Sequence, residues 1–150
     1  MKTIRHILML TLVASAVCFT SCKDDKEDDQ TSTNQTSEAG FFYAENGAST
    51  KTKADAAQVN KQHNTIIARK NNTTVVEIVL TDLKAGTYDL SAKYAFTYVK
   101  DGKFWEATAG QLIITKNDGK VISGTFDATA GAGVDGVNKV SGTFSDISIQ

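Results

Sequence analysis

From residue 64 to the C-terminus the chain alternates short β-branched or aromatic runs with Asn, Asp and Gly turns, which leaves no space for helix-length elements. Residues 65–69 form a β-branched run closed by Asn71-Asn72. Across residues 73–83, Val76, Ile78 and Leu80 share one face, with Val75 and Glu77 on the other. Ala85-Gly86 turns the chain into a strand over 87–90, and residues 93–99 set Tyr94, Phe96 and Tyr98 on one side. Asp101-Gly102 is a hairpin signal between flanking strands. Residues 104–107 and 111–115 read as strands, or as one bent strand with Gly110 at a bulge or bend. Asn117-Asp118-Gly119 turns the chain again, and 120–130 and 139–149 are the last two strands. About eight strands at this spacing predict an all-β fold, and they fit an antiparallel sandwich and a barrel-like domain equally.

Composition agrees with strands joined by glycine turns: proline is absent, and threonine, glycine and β-branched residues are abundant in the second half. Residues 48–64 are the exception, with Lys51, Lys53, Asp55 and Lys61 among alanines; they are compatible with a short helix or with a strand and a long polar loop.

One internal echo stands out. Ser123-Gly124-Thr125-Phe126 recurs as Ser141-Gly142-Thr143-Phe144, with Gly131, Gly133 and Gly136 between. This reads as one hairpin with Phe126 and Phe144 pointing into the core, each glycine relieving crowding or sitting at a bulge. A phosphate cradle would need a helix start behind the glycines, and no helical pattern follows them.

The start of the chain has a different character. Lys2 and Arg5 precede an apolar run over residues 7–19, which is shorter than the roughly 20 residues a membrane span requires. Residues 1–21 therefore read as a signal peptide. Phe19-Thr20-Ser21-Cys22 resembles a lipobox with Phe19 in place of the usual aliphatic residue. That resemblance implies a diacylglycerol on the Cys22 sulfur and cleavage before it. Two or three acyl chains hold a protein on a membrane stably, whereas one holds it reversibly. Lys23, Asp24, Asp25, Lys26, Glu27, Asp28 and Asp29 follow at once. As a charge run they read as a solvated spacer. They also resemble the acidic export signal of Bacteroidota surface lipoproteins, which implies an outer-membrane lipoprotein facing the cell exterior. Residues 30–39 are rich in Thr, Ser, Asn and Gln with no apolar period, a composition that stays unfolded as a tether. The expected organisation is a leader over 1–21, a lipidated cysteine and polar tether over 22–40, and a β domain over 41–150.

Both cysteines, Cys18 and Cys22, lie before the domain, so it holds neither a disulfide nor a thiolate metal site. A net charge of −1 offers no basic excess for nucleic acid. His63, between Gln62 and Asn64, reads as an exposed loop residue, and one histidine does not make a His-rich metal centre. No Gly-x-Ser-x-Gly elbow accompanies it. Glu77, Asp89, Glu106 and Asp127 are the strand carboxylates available for glycosidase chemistry, with Glu106 beside Trp105 the most suggestive. A glutamate alternating with core aromatics is ordinarily the solvent face of a strand. Asn117-Asp118-Gly119 and Asp135-Gly136 imitate fragments of calcium loops without the ligand run, and turn chemistry accounts for them. No enzyme activity, metal or cofactor is expected.

The order Phe42-Tyr43-Ala44-Glu45-Asn46-Gly47, Ala85-Gly86-Thr87-Tyr88, Trp105-Glu106-Ala107 and 110–115, ending in paired Ser-Gly-Thr-Phe segments, resembles a family of small uncharacterised Bacteroidota lipoproteins. The resemblance covers nearly all of 41–150 and carries no activity with it. Two roles follow as expectations. One is a non-catalytic binding or accessory module for a glycan or envelope protein, with Tyr94, Tyr98 and Trp105 as an aromatic platform if exposed together and as core if not. The other is a structural envelope lipoprotein or complex subunit with no small ligand.

Overall fold

The computed structural model describes residues 38–150, and the leader, Cys22 and the acidic run from Lys23 to Asp29 lie outside the described residues. In chain order the strands are β1 (Gly40–Glu45), β2 (Thr52–Lys53), β3 (Ala56–Asn60), β4 (Thr65–Lys70), β5 (Thr73–Val79), β6 (Gly86–Asp89), β7 (Phe96–Lys100), β8 (Lys103–Glu106), β9 (Ala109–Asn117), β10 (Val121–Val134) and β11 (Val137–Ser148). They form two antiparallel sheets, ordered β2-β1-β11-β10-β9-β6 and β3-β4-β5-β7-β8. The arrangement is sandwich-like and not a closed barrel.

Among the described residues eleven strands replace the eight or so expected. Residues 48–64 supply two of the extra ones and no helix. Between them Ala54 N donates to Phe41 O and Asp55 N to Arg69 O, each at 2.8 Å, which carries the chain from one sheet to the other. The second discrepancy lies at residues 104–115. Here β8 belongs to the five-stranded sheet and β9 to the six-stranded one. Ala107 N still bonds Phe96 O at 3.0 Å, while Thr108 N already bonds Thr129 O at 2.9 Å. Gly110 completes this corner at φ 139°, where an added Cβ would stand 2.2 Å from Asp127 O. On the opposite flank the C-terminus bridges the sheets, with Gln150 N donating to Val59 O at 2.8 Å and Lys61 N to Gln150 O at 2.9 Å.

Tight turns form where the side chain tolerates a left-handed backbone. Asn71-Asn72 (φ 51°, 62°), Asp101-Gly102 (49°, 77°) and Asp135-Gly136 (48°, 77°) carry positive φ at both positions, as two-residue turns matching the strand twist require.

The core is an aromatic seam between the sheets. Phe41 stacks on Phe126 at 5.2 Å and Phe144 at 6.3 Å; Phe126 meets Phe96 across the interface at 5.7 Å. Phe96 and Tyr98 each pack on Trp105 at 5.6 Å, and Tyr98 tilts onto Tyr43 at 6.3 Å. Such ring contacts add about 0.5–1.5 kcal/mol each beyond area burial. The Ser-Gly-Thr-Phe echo is the β10–β11 hairpin, with Gly124 opposite Phe144 and Phe126 opposite Gly142.

Candidate functional site

One end of the sandwich gathers the turns Asn46-Gly47, Asn71-Asn72, Asp101-Gly102 and Asp135-Gly136. Asn46 ties this end together: its Nδ2 donates to Gly136 O at 2.8 Å, and its Oδ1 accepts from the backbone N of Asn138 and Lys139. Lys103 Nζ lies 2.7 Å from Asp135 Oδ1. Between the sheets at this end opens a recess of about 280 Å³.

Three elements line it, through strand alternation and one bulge. Strand β1 points Tyr43 and Glu45 inward from one sheet, and β7 points Tyr98 and Lys100 inward from the other. On β5, Ala68 pairs with Val76 but Arg69 pairs with Thr74, so Val75 is a bulge residue. Val75 packs against the core, which corrects its sequence-based assignment to the outer face; a bulge breaks the two-residue period that assignment rests on. Lys70, Asn71 and Thr73 of the β4–β5 hairpin complete that wall.

The chemistry of the recess is mostly paired, with Asp101 as a further carboxylate in its lining. Glu45 accepts hydrogen bonds from the Tyr98 hydroxyl and from Lys100 Nζ, the latter at 2.7 Å. Burial alone raises the Glu45 carboxyl, but the Lys100 and Tyr98 hydrogen bonds and the Lys100 charge outweigh it and hold the group below its usual range. Burial, then donation to Glu45, pushes the Tyr98 phenol above its usual range. Asp55 closes the other pair, with its Oδ1 at 2.6 Å from Lys70 Nζ and its Oδ2 accepting from Asn71 N at 2.7 Å. Between the pairs sits Tyr43, only 6% exposed. Its hydroxyl opens to the recess and has no hydrogen-bond partner among the described residues. Burial is the largest influence raising its pKa; Glu45 and Asp55 add to it, and Lys70 and Lys100 oppose it, so it is a neutral phenol at physiological pH.

The aromatic platform does not assemble. Tyr98 and Trp105 are core residues, 2% and 4% exposed, while Tyr94 is 59% exposed. The strand period expected over 93–99 starts only at Phe96, because Ala95 N bonds Ala92 O in a turn and Tyr94 is left-handed at φ 67°. Glu77 and Glu106 flank Thr97 on the outer face of one sheet. Asp127 and Asp89 flank Gln111 on the outer face of the other. The four carboxylates therefore do not converge in one cleft. Asp127 pairs with Lys139 at 2.8 Å. His63 is exposed in the β3–β4 turn, its N donating to Asn60 Oδ1 at 3.2 Å. Asp118 Oδ1 caps its own turn by accepting from Lys120 N and Val121 N at 2.9 Å. Among the described residues no group of His, Cys, Asp or Glu side chains forms a metal cluster.

Sequence reasoning passed over Tyr43, Glu45, Lys70 and Lys100 as a group. The period-two spacing of Tyr43 with Glu45 and of Tyr98 with Lys100 was available as a signal. The meeting of β1 with β7 was not, since they lie on different sheets. A second, apolar recess lies past the end of β5, where Val79 (38% exposed) and Tyr94 border Leu80, Ala92 and Ala95.

A protein-family model described as a domain of unknown function, DUF6252, matches residues 38–148. No curated protein and no solved structure matches the chain.

Proposed function

The chain belongs to the DUF6252 family of domains of unknown function, and from that premise we propose that it is a membrane-anchored, surface-exposed lipoprotein whose β domain is a non-catalytic binding module. Supporting the anchor are the order of apolar leader, Cys22, acidic run and polar tether. Supporting a binding role is one observation above others: β1 starts at Gly40 and ends at Glu45, so the recess lies at the opposite end of that strand from Gly40. Loops held on a rigid scaffold are where binding residues concentrate.

The test is protease treatment of intact and lysed cells, following the domain by antibody. Digestion in intact cells, release of the Cys22→Ala chain from the membrane, and reduced display when Asp24, Asp25, Glu27, Asp28 and Asp29 all become alanine are the expected results. Protection of the native domain until lysis overturns surface display and sends the search to periplasmic partners.

A structural or complex-subunit role is the second reading. It draws on the exposed apolar side chains Val79, Tyr94 and Phe104, the last 64% exposed. In-cell crosslinking from Tyr94 to one stoichiometric protein partner would favour it.

A further inference from the structure

We infer that the recess between Tyr43, Glu45 and Lys100 is a subsite for a neutral, polyhydroxylated ligand, a single sugar residue of a glycan, hydrogen-bonded by the Tyr43 hydroxyl. The inference rests on the binding reading above and adds the ligand's chemical class.

Tyr43 carries it. The Tyr43 ring is buried in the core while its hydroxyl, at the accessible tip of the side chain, lines the recess. Tyr98, alongside, places its hydroxyl on Glu45. Tyr43 instead directs a protonated phenol, one donor and one acceptor, into open space among the described residues. A hydroxyl group matches that double capacity.

The surrounding charges select against anions. The charged groups that act on Tyr43 are Glu45, Asp55, Lys70 and Lys100, two of each sign. Each ammonium is already engaged by a carboxylate, at 2.7 Å for Lys100 and 2.6 Å for Lys70. An anion would have to displace a carboxylate; a cation would have to displace an ammonium or settle on Asp101, which also lines the recess. A neutral hydroxyl ligand displaces neither, and it finds further acceptors on Glu45 and donors on Lys100 and the Asn71 amide. Val75 and the tyrosine ring edges supply apolar surface for the C–H groups of a sugar ring. At about 280 Å³ the space falls just below the usual range of ligand sites, about 300–1,000 Å³, so it takes one ring rather than a chain.

The experiment is saturation-transfer NMR on the full chain in detergent micelles, with D-glucose, D-galactose, D-mannose and N-acetylglucosamine as neutral probes and acetate and inorganic phosphate as anions. Saturation transfer to at least one neutral sugar is expected, with affinity falling roughly threefold to tenfold in Tyr43→Phe, the loss of one hydrogen bond, and unchanged in Tyr94→Phe. Tyr43→Phe removes an atom without a protein partner, so it should fold, and thermal unfolding checks this. Equal sugar binding by Tyr43→Phe overturns the subsite while leaving a binding module. Binding of acetate or phosphate in place of sugars overturns the ligand class while leaving the recess as the site. No transfer to any probe overturns the inference; surface presentation is decided separately by the protease assay.

Discussion

Gly124 lies directly opposite Phe144 in the β10–β11 ladder, and an added Cβ there would stand 2.5 Å from the Phe144 ring and 2.1 Å from Ile113 O. Gly142 repeats the relationship two residues along: opposite Phe126, its Cβ would meet that ring at 2.6 Å and Phe42 O at 2.1 Å. Each Ser-Gly-Thr-Phe segment thus supplies the aromatic that covers the other's glycine. Gly124→Ala should destabilise the domain by about 2 kcal/mol or more, since neither backbone nor ring can yield freely. Gly131→Ala is the control, because only Thr108 Oγ1 at 3.9 Å approaches its added Cβ. Thermal unfolding should show a Tm loss of roughly 10 °C for the first and almost none for the second. Equal Tm values would remove the packing role assigned to the echo.

Acid should act through Glu45. Its folded pKa is depressed below the ordinary 4.5, so its stabilising contribution is present above that value and is lost as pH falls through the folded pKa. Asp55, Asp82, Asp89 and Asp118 are lowered too, and the native domain loses stability on acidification for several reasons at once. Glu45→Gln isolates one of them. Urea unfolding from pH 6 to pH 3 should show the gap between native and variant narrowing, and a constant gap would mean that Glu45 titrates with its ordinary pKa.

Alkali should act through the phenols. Tyr88 is raised from 10.0 to about 12, by burial and by donation to Asp82. A raised pKa contributes stability that is whole below pH 10 and is lost as pH climbs towards the folded value. Absorbance titration of the native domain should place Tyr88 ionisation near 12, whereas Tyr98 should ionise only on unfolding. At pH 11, Tyr88→Phe should retain a larger share of its neutral-pH stability than the native chain. A smaller share would contradict the assignment.

Trp105 presents a buried Nε1–H without a hydrogen-bond partner among the described residues. Leaving a donor unsatisfied costs about 1–3 kcal/mol. Trp105→Phe removes that donor while keeping a ring against Phe96 and Tyr98, so the lost packing and the relieved donor should offset to within about 1–2 kcal/mol. Trp105→Ala opens a cavity and should cost about 3–5 kcal/mol. Chemical denaturation of both variants separates these values. A Phe variant as damaged as the Ala variant would show that the indole N–H is satisfied in solution.

Much of the fold was legible because local rules were sufficient for it. The faces of Val76, Ile78 and Leu80, the inward Phe126 and Phe144, and the turns at Asn71, Asp101 and Asp135 follow from period-two alternation and from side chains that tolerate left-handed backbone. Legibility ended where the period broke. Val75 turned inward at a bulge, Tyr94 fell in a turn before β7, and residues 52–60 became two short strands whose partners, β1 and β4, neighbour β11 and β5.

By itself the sequence determined the all-β class, the turns and the hairpin echo, because alternation and turn chemistry act over a few neighbouring residues. The pairing of sheets was decided in three dimensions: the corner at Gly110 that sends β8 and β9 to different sheets, the C-terminal bridge to Val59, and the meeting of Glu45 with Tyr98 and Lys100 across more than fifty residues. Contacts at such separation depend on which sheet each strand joins. No local propensity encodes that choice; burial of the aromatic seam selects it.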